Sequence, residues 1–362
     1  MAHVDKQMIS FFVTTNCNLD CVYCYTNKKD GTHKNQTLDF DFAKAAIDDY
    51  FGTSYAKHIR FQGAGEPTTN IDLVKKILTY AKSLTHEEVT SEIQTNACFS
   101  IDVAKWIAKN IDNIWASCDG LPSIQNHNRP FLSGGGSSDV FERNIKYLVT
   151  NAKKMVGIRC TITGANVNIQ KECIDYYHSL GIKYVWVDPI FPKVGELEGE
   201  NTLDLMVFAK EFLDAVKHAE SLGIEYGSIL TCNFDRSCNY ACRACLPVPH
   251  VTTDGYISAC DMALYGNDKD HMNLFYYGRW NRDSKTIEYD SEKITYLRSR
   301  TVANIKHCNS CPAKHNCCGY CPGEVLNETH DYFGRKRQVC PAIRWLFTNM
   351  TNKQKKYTYT HP

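Results

Sequence analysis

The chain has 362 residues, with 41 Lys and Arg set against 40 Asp and Glu, for a net charge of +1. That length allows one large or two modest domains with ample core, and the charge balance gives no electrostatic reason to expect nucleic acid or a membrane surface as a partner. No apolar run reaches the roughly 18 residues a membrane span needs, and Met1 to Lys6 lacks the basic-then-apolar order of a signal peptide, so a cytoplasmic protein is expected.

The 18 cysteines stand far above average usage. A disulfide framework explains such numbers in small exported domains, and neither condition is met here, which leaves metal.

From residue 8 to about 222, short apolar runs alternate with amphipathic stretches. Strands are predicted at Ile9 to Thr14, His58 to Gln62, Val89 to Thr95, Ile114 to Cys118, Val156 to Ile162 and Tyr184 to Ile190. Helices are predicted at Phe42 to Tyr50, Leu73 to Ser83, Val103 to Lys109, Val140 to Val149, Ile174 to Leu180 and Leu205 to Leu222, with Gly223 as a stop and Gly134 to Ser138 as a loop into the fourth helix. Six strand–helix units imply a parallel sheet with helices outside, curled into an incomplete barrel; a doubly wound open sheet is the alternative.

Directly after the first strand, Cys17, Cys21 and Cys24 are spaced C-x3-C-x2-C. Iron–sulfur cubes are normally closed by four thiolates, so three ligands in one loop leave an iron open to something other than protein. A structural zinc is the competing use of such cysteines. Ligands at the C-terminal mouth of a first strand belong to an active site in barrel folds.

This loop, with Tyr23 just before its third cysteine, resembles that of the radical S-adenosylmethionine (SAM) enzymes. The resemblance implies a partial (β/α)6 TIM-type barrel in an α/β chain, a [4Fe-4S] cluster on Cys17, Cys21 and Cys24, and SAM bound at the open iron. Reductive cleavage of SAM then yields a 5'-deoxyadenosyl radical that abstracts hydrogen from a substrate. Gly63-Ala64-Gly65-Glu66-Pro67 after the second strand resembles the family's G-G-E-P motif, with Ala64 in place of a glycine, and implies SAM contacts at Ala64, Gly65 and Glu66. Small residues let backbone approach a ligand closely. Gln94-Thr95-Asn96 and Ser117-Cys118-Asp119-Gly120 end the third and fourth strands; with Arg129 and Arg159 they supply Asn96, Ser117, Asp119, Arg129 and Arg159 as further SAM candidates. Each of these, taken singly, is equally explained as a hydrogen-bonding turn residue. Cys98, Cys118, Cys160 and Cys173 stand alone and read as buried thiols.

After Gly223 the composition changes. Cys245, Gly255 and Cys260 form C-x9-G-x4-C, then Cys308, Cys311, Cys317 and Cys321 form C-x2-C-x5-C-x3-C, and Cys340 follows. This resembles the seven-cysteine signature of the SPASM domain, placing a radical SAM barrel at 1–223 and an auxiliary-cluster domain at 224–362. The resemblance implies two further [4Fe-4S] clusters: the first on Cys245, Cys260 and Cys321 with Cys242 or Cys238 as fourth ligand or with that position open, the second on Cys308, Cys311, Cys317 and Cys340. Cys232 and Cys318 are spare. A zinc ribbon on the C-x2-C pairs, with His315 as a ligand, is the alternative. Asp261 stands where sulfatase-maturing relatives carry a catalytic base, although a cap or turn explains an aspartate there equally well. Tyr276 to Trp280 reads as strand packing.

These resemblances together imply a radical SAM maturase that oxidises a residue of a ribosomal peptide to form a thioether or carbon–carbon crosslink, surplus electrons leaving through the auxiliary clusters. A sulfatase-maturing, formylglycine-forming oxidase and a non-catalytic iron–sulfur carrier or zinc module are the rivals. The implied partners are a peptide or protein substrate and an electron donor such as flavodoxin or ferredoxin. Because the first strand starts by about residue 9, no fused N-terminal peptide-binding domain is expected; the leader is then read by a separate binding protein or by the two domains themselves.

Overall fold

The computed structural model describes residues 7–26, 35–190, 203–267 and 271–356. Its centre is one sheet. Strands β1 (Ile9–Phe12), β2 (His58–Gln62), β3 (Thr90–Thr95), β4 (Asn113–Ser117), β5 (Met155–Ile162), β6 (Tyr184–Pro189) and β7 (Glu225–Gly227) lie side by side in chain order, all parallel. β1 and β2 are buried almost throughout, as strands covered on both faces must be.

The connections are helices α1 (Phe40–Thr53), α2 (Ile71–Ser83), α3 (Ile101–Asn110), α4 (Pro122–Asn128), α5 (Ser138–Asn151), α6 (Gln170–Ser179) and α7 (Leu205–Ser221). Asp39, Ser100 and Asp204 start α1, α3 and α7 by accepting from backbone N–H groups of the first turn. α2 shows why these segments dock: Leu73, Val74, Ile77, Leu78 and Ala81 share one buried stripe at helical spacing. Gly223, at φ +70°, ends α7 in the left-handed region as expected. The six strand–helix units appear with ends within a few residues of prediction. α4 is an addition: a seven-residue helix opened by Pro122 inside the connection that otherwise reads as loop.

The second half does not stand apart from this sheet. On the far side of β1, β8 (His250–Val251) runs parallel to it, followed by antiparallel β9 (Tyr256–Ser258), β10 (Tyr276–Asn281) and β11 (Thr286–Tyr289). Tyr276 to Trp280 is thus strand, as read from sequence. Residues on both sides of position 223 build the same eleven-stranded sheet. Helices α8 (Ser291–Arg298), α9 (Lys314–Cys317), α10 (Pro322–Thr329) and α11 (Val339–Asn349) complete this half, and α11 packs on α7 with Phe347 edge-on to Phe234. Among the described residues no helix is long and apolar enough to cross a membrane.

Candidate active site

The cysteine loop leaves β1 and is held from three sides by backbone. Gly65 N donates to Thr14 O (2.9 Å) and Glu66 N to Asn16 O (2.8 Å), tying it to the loop after β2. A side chain at Gly65 would run into the Asn16 carbonyl, so the close approach requires glycine there. Asp20 N and Val22 N donate to Pro130 O (2.9 Å) and Asn128 O (3.0 Å), and Asn18 Nδ2 donates to Cys98 O (2.6 Å).

Glu66 and Asn96 serve this scaffold. Both oxygens of the buried Glu66 are taken: Oε1 accepts from Thr68 N, Thr68 Oγ1 and Thr95 Oγ1 (3.1, 2.7 and 2.6 Å), and Oε2 from Asn96 N (2.7 Å). Asn96 Nδ2 donates to Asn18 Oδ1 (2.8 Å) and approaches Cys17 Sγ (3.9 Å). Asp119 is fully buried; it accepts from the Tyr23 hydroxyl, Asn128 Nδ2 (3.2 Å) and Thr161 N (3.0 Å), and pairs with Arg129 (3.0 Å). Arg129 in turn lies 5.4 Å over the Tyr23 ring. Ala64 puts its methyl against Phe12, Leu264 and Tyr265, a use for the side chain that the glycine of the motif lacks.

Tyr23, Ser117, Arg129 and Arg159 line a cavity of about 880 Å³. Cys21 and Cys24 of the first loop line it, together with Cys232, Cys238, Cys242, Cys260, Cys317 and Cys321 of the second half. On its walls Arg159 lies 5.6 Å over Trp186 and 3.4 Å from Asp188.

Between the two groups of thiols sits a charge cluster that sequence reasoning missed, apart from Asp261 itself. Asp261 Oδ1 accepts from Gln62 Nε2 (2.6 Å) and lies 2.6 Å from His250 Nε2; Oδ2 pairs with Arg60 (3.2 Å) and, at 3.7 Å, with Arg243. Arg60 also pairs with Glu92 (3.1 Å) and donates to Gln94 (3.0 Å). Burial alone raises the Asp261 carboxyl, but Arg60 and His250 outweigh it and hold the group well below the ordinary carboxylate range. The one available signal was Arg60 and Gln62, polar residues alternating with Ile59 and Phe61 in β2.

All 18 cysteines are free thiols. Burial pushes Cys17 up to about 12 and Cys21 and Cys242 up to about 11, so these thiols need a positive centre to be held as thiolates. The donors suit iron–sulfur ligation: Cys17 Sγ accepts from Leu19 N (3.5 Å) and Cys242 Sγ from Ala244 N (3.3 Å), the N–H to sulfur bonds that help tune such clusters. In the second half, Cys242 interacts electrostatically with Cys245, Cys260 and Cys321. Cys238 packs instead with Cys318, Ala241 and Val302, and its carbonyl accepts from the Cys318 thiol (3.0 Å). Cys308, Cys311, Cys317 and Cys340 surround a separate small cavity. Among the described residues no three His, Cys, Asp or Glu groups gather as a single-ion site, and His315 is exposed. Cys98, Cys118, Cys160 and Cys173 are buried in the core.

Residues 11–171 match the family model of the radical SAM superfamily, and the chain therefore carries a radical SAM domain. An uncharacterized protein of Methanocaldococcus jannaschii is 32% identical over 186 residues, covering 51% of this chain and 63% of that protein. The Fe-coproporphyrin III synthase of Methanosarcina barkeri is 30% identical over 164 residues, 45% of this chain and 38% of that enzyme. The chain thus spans less than two thirds of either curated relative. Among solved structures, native anSMEcpe with bound AdoMet superposes with a TM-score of 0.75 at 18% identity, covering 94% of this chain and 95% of that one. SuiB of Streptococcus suis bound to its precursor peptide SuiA gives 0.67 at 17% identity, covering 93% and 76%. At these identities the likeness is one of fold.

Proposed function

We propose that this chain is a radical SAM maturase that oxidatively modifies a residue of a peptide or protein, in its leading form closing a thioether or carbon–carbon crosslink. The observation that carries the reading is a single cavity lined both by Cys21 and Cys24 of the first set and by Cys242, Cys260 and Cys321 of the second. When bound at Cys17, Cys21 and Cys24, the cluster and SAM supply a hydrogen-abstracting radical. The chain's own part is positional. Tyr23, Ser117, Arg129 and Arg159 face the space where SAM would lie, while Glu66, Asn96 and Asp119 hold the loops behind it. Cys242, Cys245, Cys260 and Cys321 are the first auxiliary set, with Cys242 preferred over Cys238, which packs with Cys318 and accepts from its thiol at the backbone carbonyl. Cys308, Cys311, Cys317 and Cys340 are the second.

Asp261 is given an anchoring role. Its oxygens are engaged by Gln62, Arg60 and Arg243, with His250 alongside, which joins β2 and β8 at the cavity wall. Substrate, electron donor and any leader-binding partner belong to the same proposal: a peptide, a low-potential flavodoxin or ferredoxin, and a separate reader of the leader.

The test is anaerobic purification, with about twelve irons per chain expected from three four-iron sites, and release of 5'-deoxyadenosine from SAM under reduction. A co-expressed peptide should lose two hydrogens by mass. A zinc protein lacking sulfide would overturn the cluster reading, and conversion of a cysteine or serine to an aldehyde would move the activity to formylglycine formation.

A further inference from the structure

Arg300 follows α8 and is completely buried. Its Nε donates to Tyr332 O (2.6 Å), Nη1 to Tyr320 O (3.3 Å) and Nη2 to Gly319 O (2.9 Å), and its guanidinium lies 5.5 Å over the Tyr332 ring. All three acceptors are neutral. The other buried cations are answered by carboxylates, Arg60 by Glu92 and Asp261, and Lys336 by Glu324 and Glu328; among the described residues none pairs with Arg300. A guanidinium taken wholly out of water and met only by dipoles is poorly compensated for its lost hydration. The fold therefore calls for negative charge close by.

The acceptors say where. Gly319 and Tyr320 lie between Cys317 and Cys321, the points where the chain passes from one proposed ligand set to the other. Cys318, Gly319 and Tyr320 all take left-handed backbone, at φ +51°, +80° and +65°, and this turn carries the two carbonyls that meet the guanidinium. A side chain at Gly319 would crowd Ile305 and Arg300. The third acceptor, Tyr332, holds its hydroxyl 3.9 Å from Cys245 Sγ. One buried cation is thus wired to both sets of thiols.

Resting on the cluster assignment made above, we propose that Arg300 is the shared counter-charge of the two auxiliary iron–sulfur sites and sets their reduction potentials. A cube on four thiolates becomes more negative when reduced. A fixed cation nearby stabilises the reduced state more and raises the potential, so removing the charge lowers it.

The experiment uses the anaerobically reconstituted full chain, assayed for iron and sulfide, with potentials read by EPR-monitored redox titration. In Arg300→Gln both auxiliary potentials should move to more negative values while that of the site on Cys17, Cys21 and Cys24 stays put. In Arg300→Lys, which keeps the charge and loses the fork, they should stay nearer to wild type. Full iron in Arg300→Gln with unchanged auxiliary potentials overturns the proposal, as does an equal fall in the Lys variant. If the Gln variant does not retain its auxiliary iron, Arg300→Lys decides alone: potentials in the wild-type range support the role, and a marked fall refutes it. A wild-type chain without iron at the second-half cysteines fails the cluster assignment itself, and the first iron assay separates that failure from this one.

Discussion

The two cysteine regions place their thiols by opposite routes. The first gathers Cys17, Cys21 and Cys24 from eight consecutive residues and fixes their loop by hydrogen bonds to the segments that follow β2 and β3 and to the end of α4. The second draws its thiols from Cys242 to Cys340, across four strands and several one- or two-turn helices. Its shortest elements, such as β8 at two residues and α9 at four, are below the length that holds itself together. The first site is shaped by the fold around it, whereas the second depends more on what its thiols bind.

The sharpest test of this division is Cys24→Ala. SAM cleavage should fall below detection while about two thirds of the iron remains, because only one of three sites is lost; retained turnover would break the assignment. Next in size is removal of all iron. Hydrogen exchange in an iron-free preparation should rise strongly between residues 238 and 340 while β1 to β5 keep their protection, and equal loss in both regions would erase the contrast. Gly65→Ala comes third: with the Asn16 carbonyl in the way of a methyl group, it should cost about 1–3 kcal/mol in denaturant unfolding and reduce iron selectively at the first site.

The smallest effect is expected at Asp112, which accepts from Ser91 N (2.9 Å) and Lys153 Nζ (2.8 Å). Burial raises this carboxyl, but hydrogen bonds from Lys153 and Ser91 outweigh it and hold it below its ordinary value. Its contribution is therefore complete above the ordinary carboxylate pKa and lost as pH falls through the lowered one. Asp112→Asn should cost about 1 kcal/mol at neutral pH and flatten the acid limb of the stability curve; an unchanged limb in chemical denaturation would dismiss the role.

Much of the barrel could be read in advance because its signals are local. The stripe of α2, the Asp39 and Ser100 caps and the apolar run of β1 each lie within one stretch of chain. The cysteine triplet was legible for the same reason. What stayed hidden is what depends on distant partners. Nothing near His250 says that two residues there will pair with β1, and strands of two or three residues leave no periodicity. Arg60 and Gln62 meet Asp261 across some two hundred positions, so their joint work on one carboxylate emerges only in three dimensions. Spacing is likewise blind to the different surroundings of Cys242, whose thiol accepts from Ala244 N, and Cys238, which packs with Cys318.

The pairing of β8 with β1 bears on any attempt to study the halves separately. Cutting the chain after α7 would strip β1 of a neighbour and leave unsatisfied amides and carbonyls along the strand that leads into the cysteine loop. A bare border of that kind invites other chains to stack onto it. The excised barrel would then tend toward insolubility, and the smaller half acts as a sheath for the larger one.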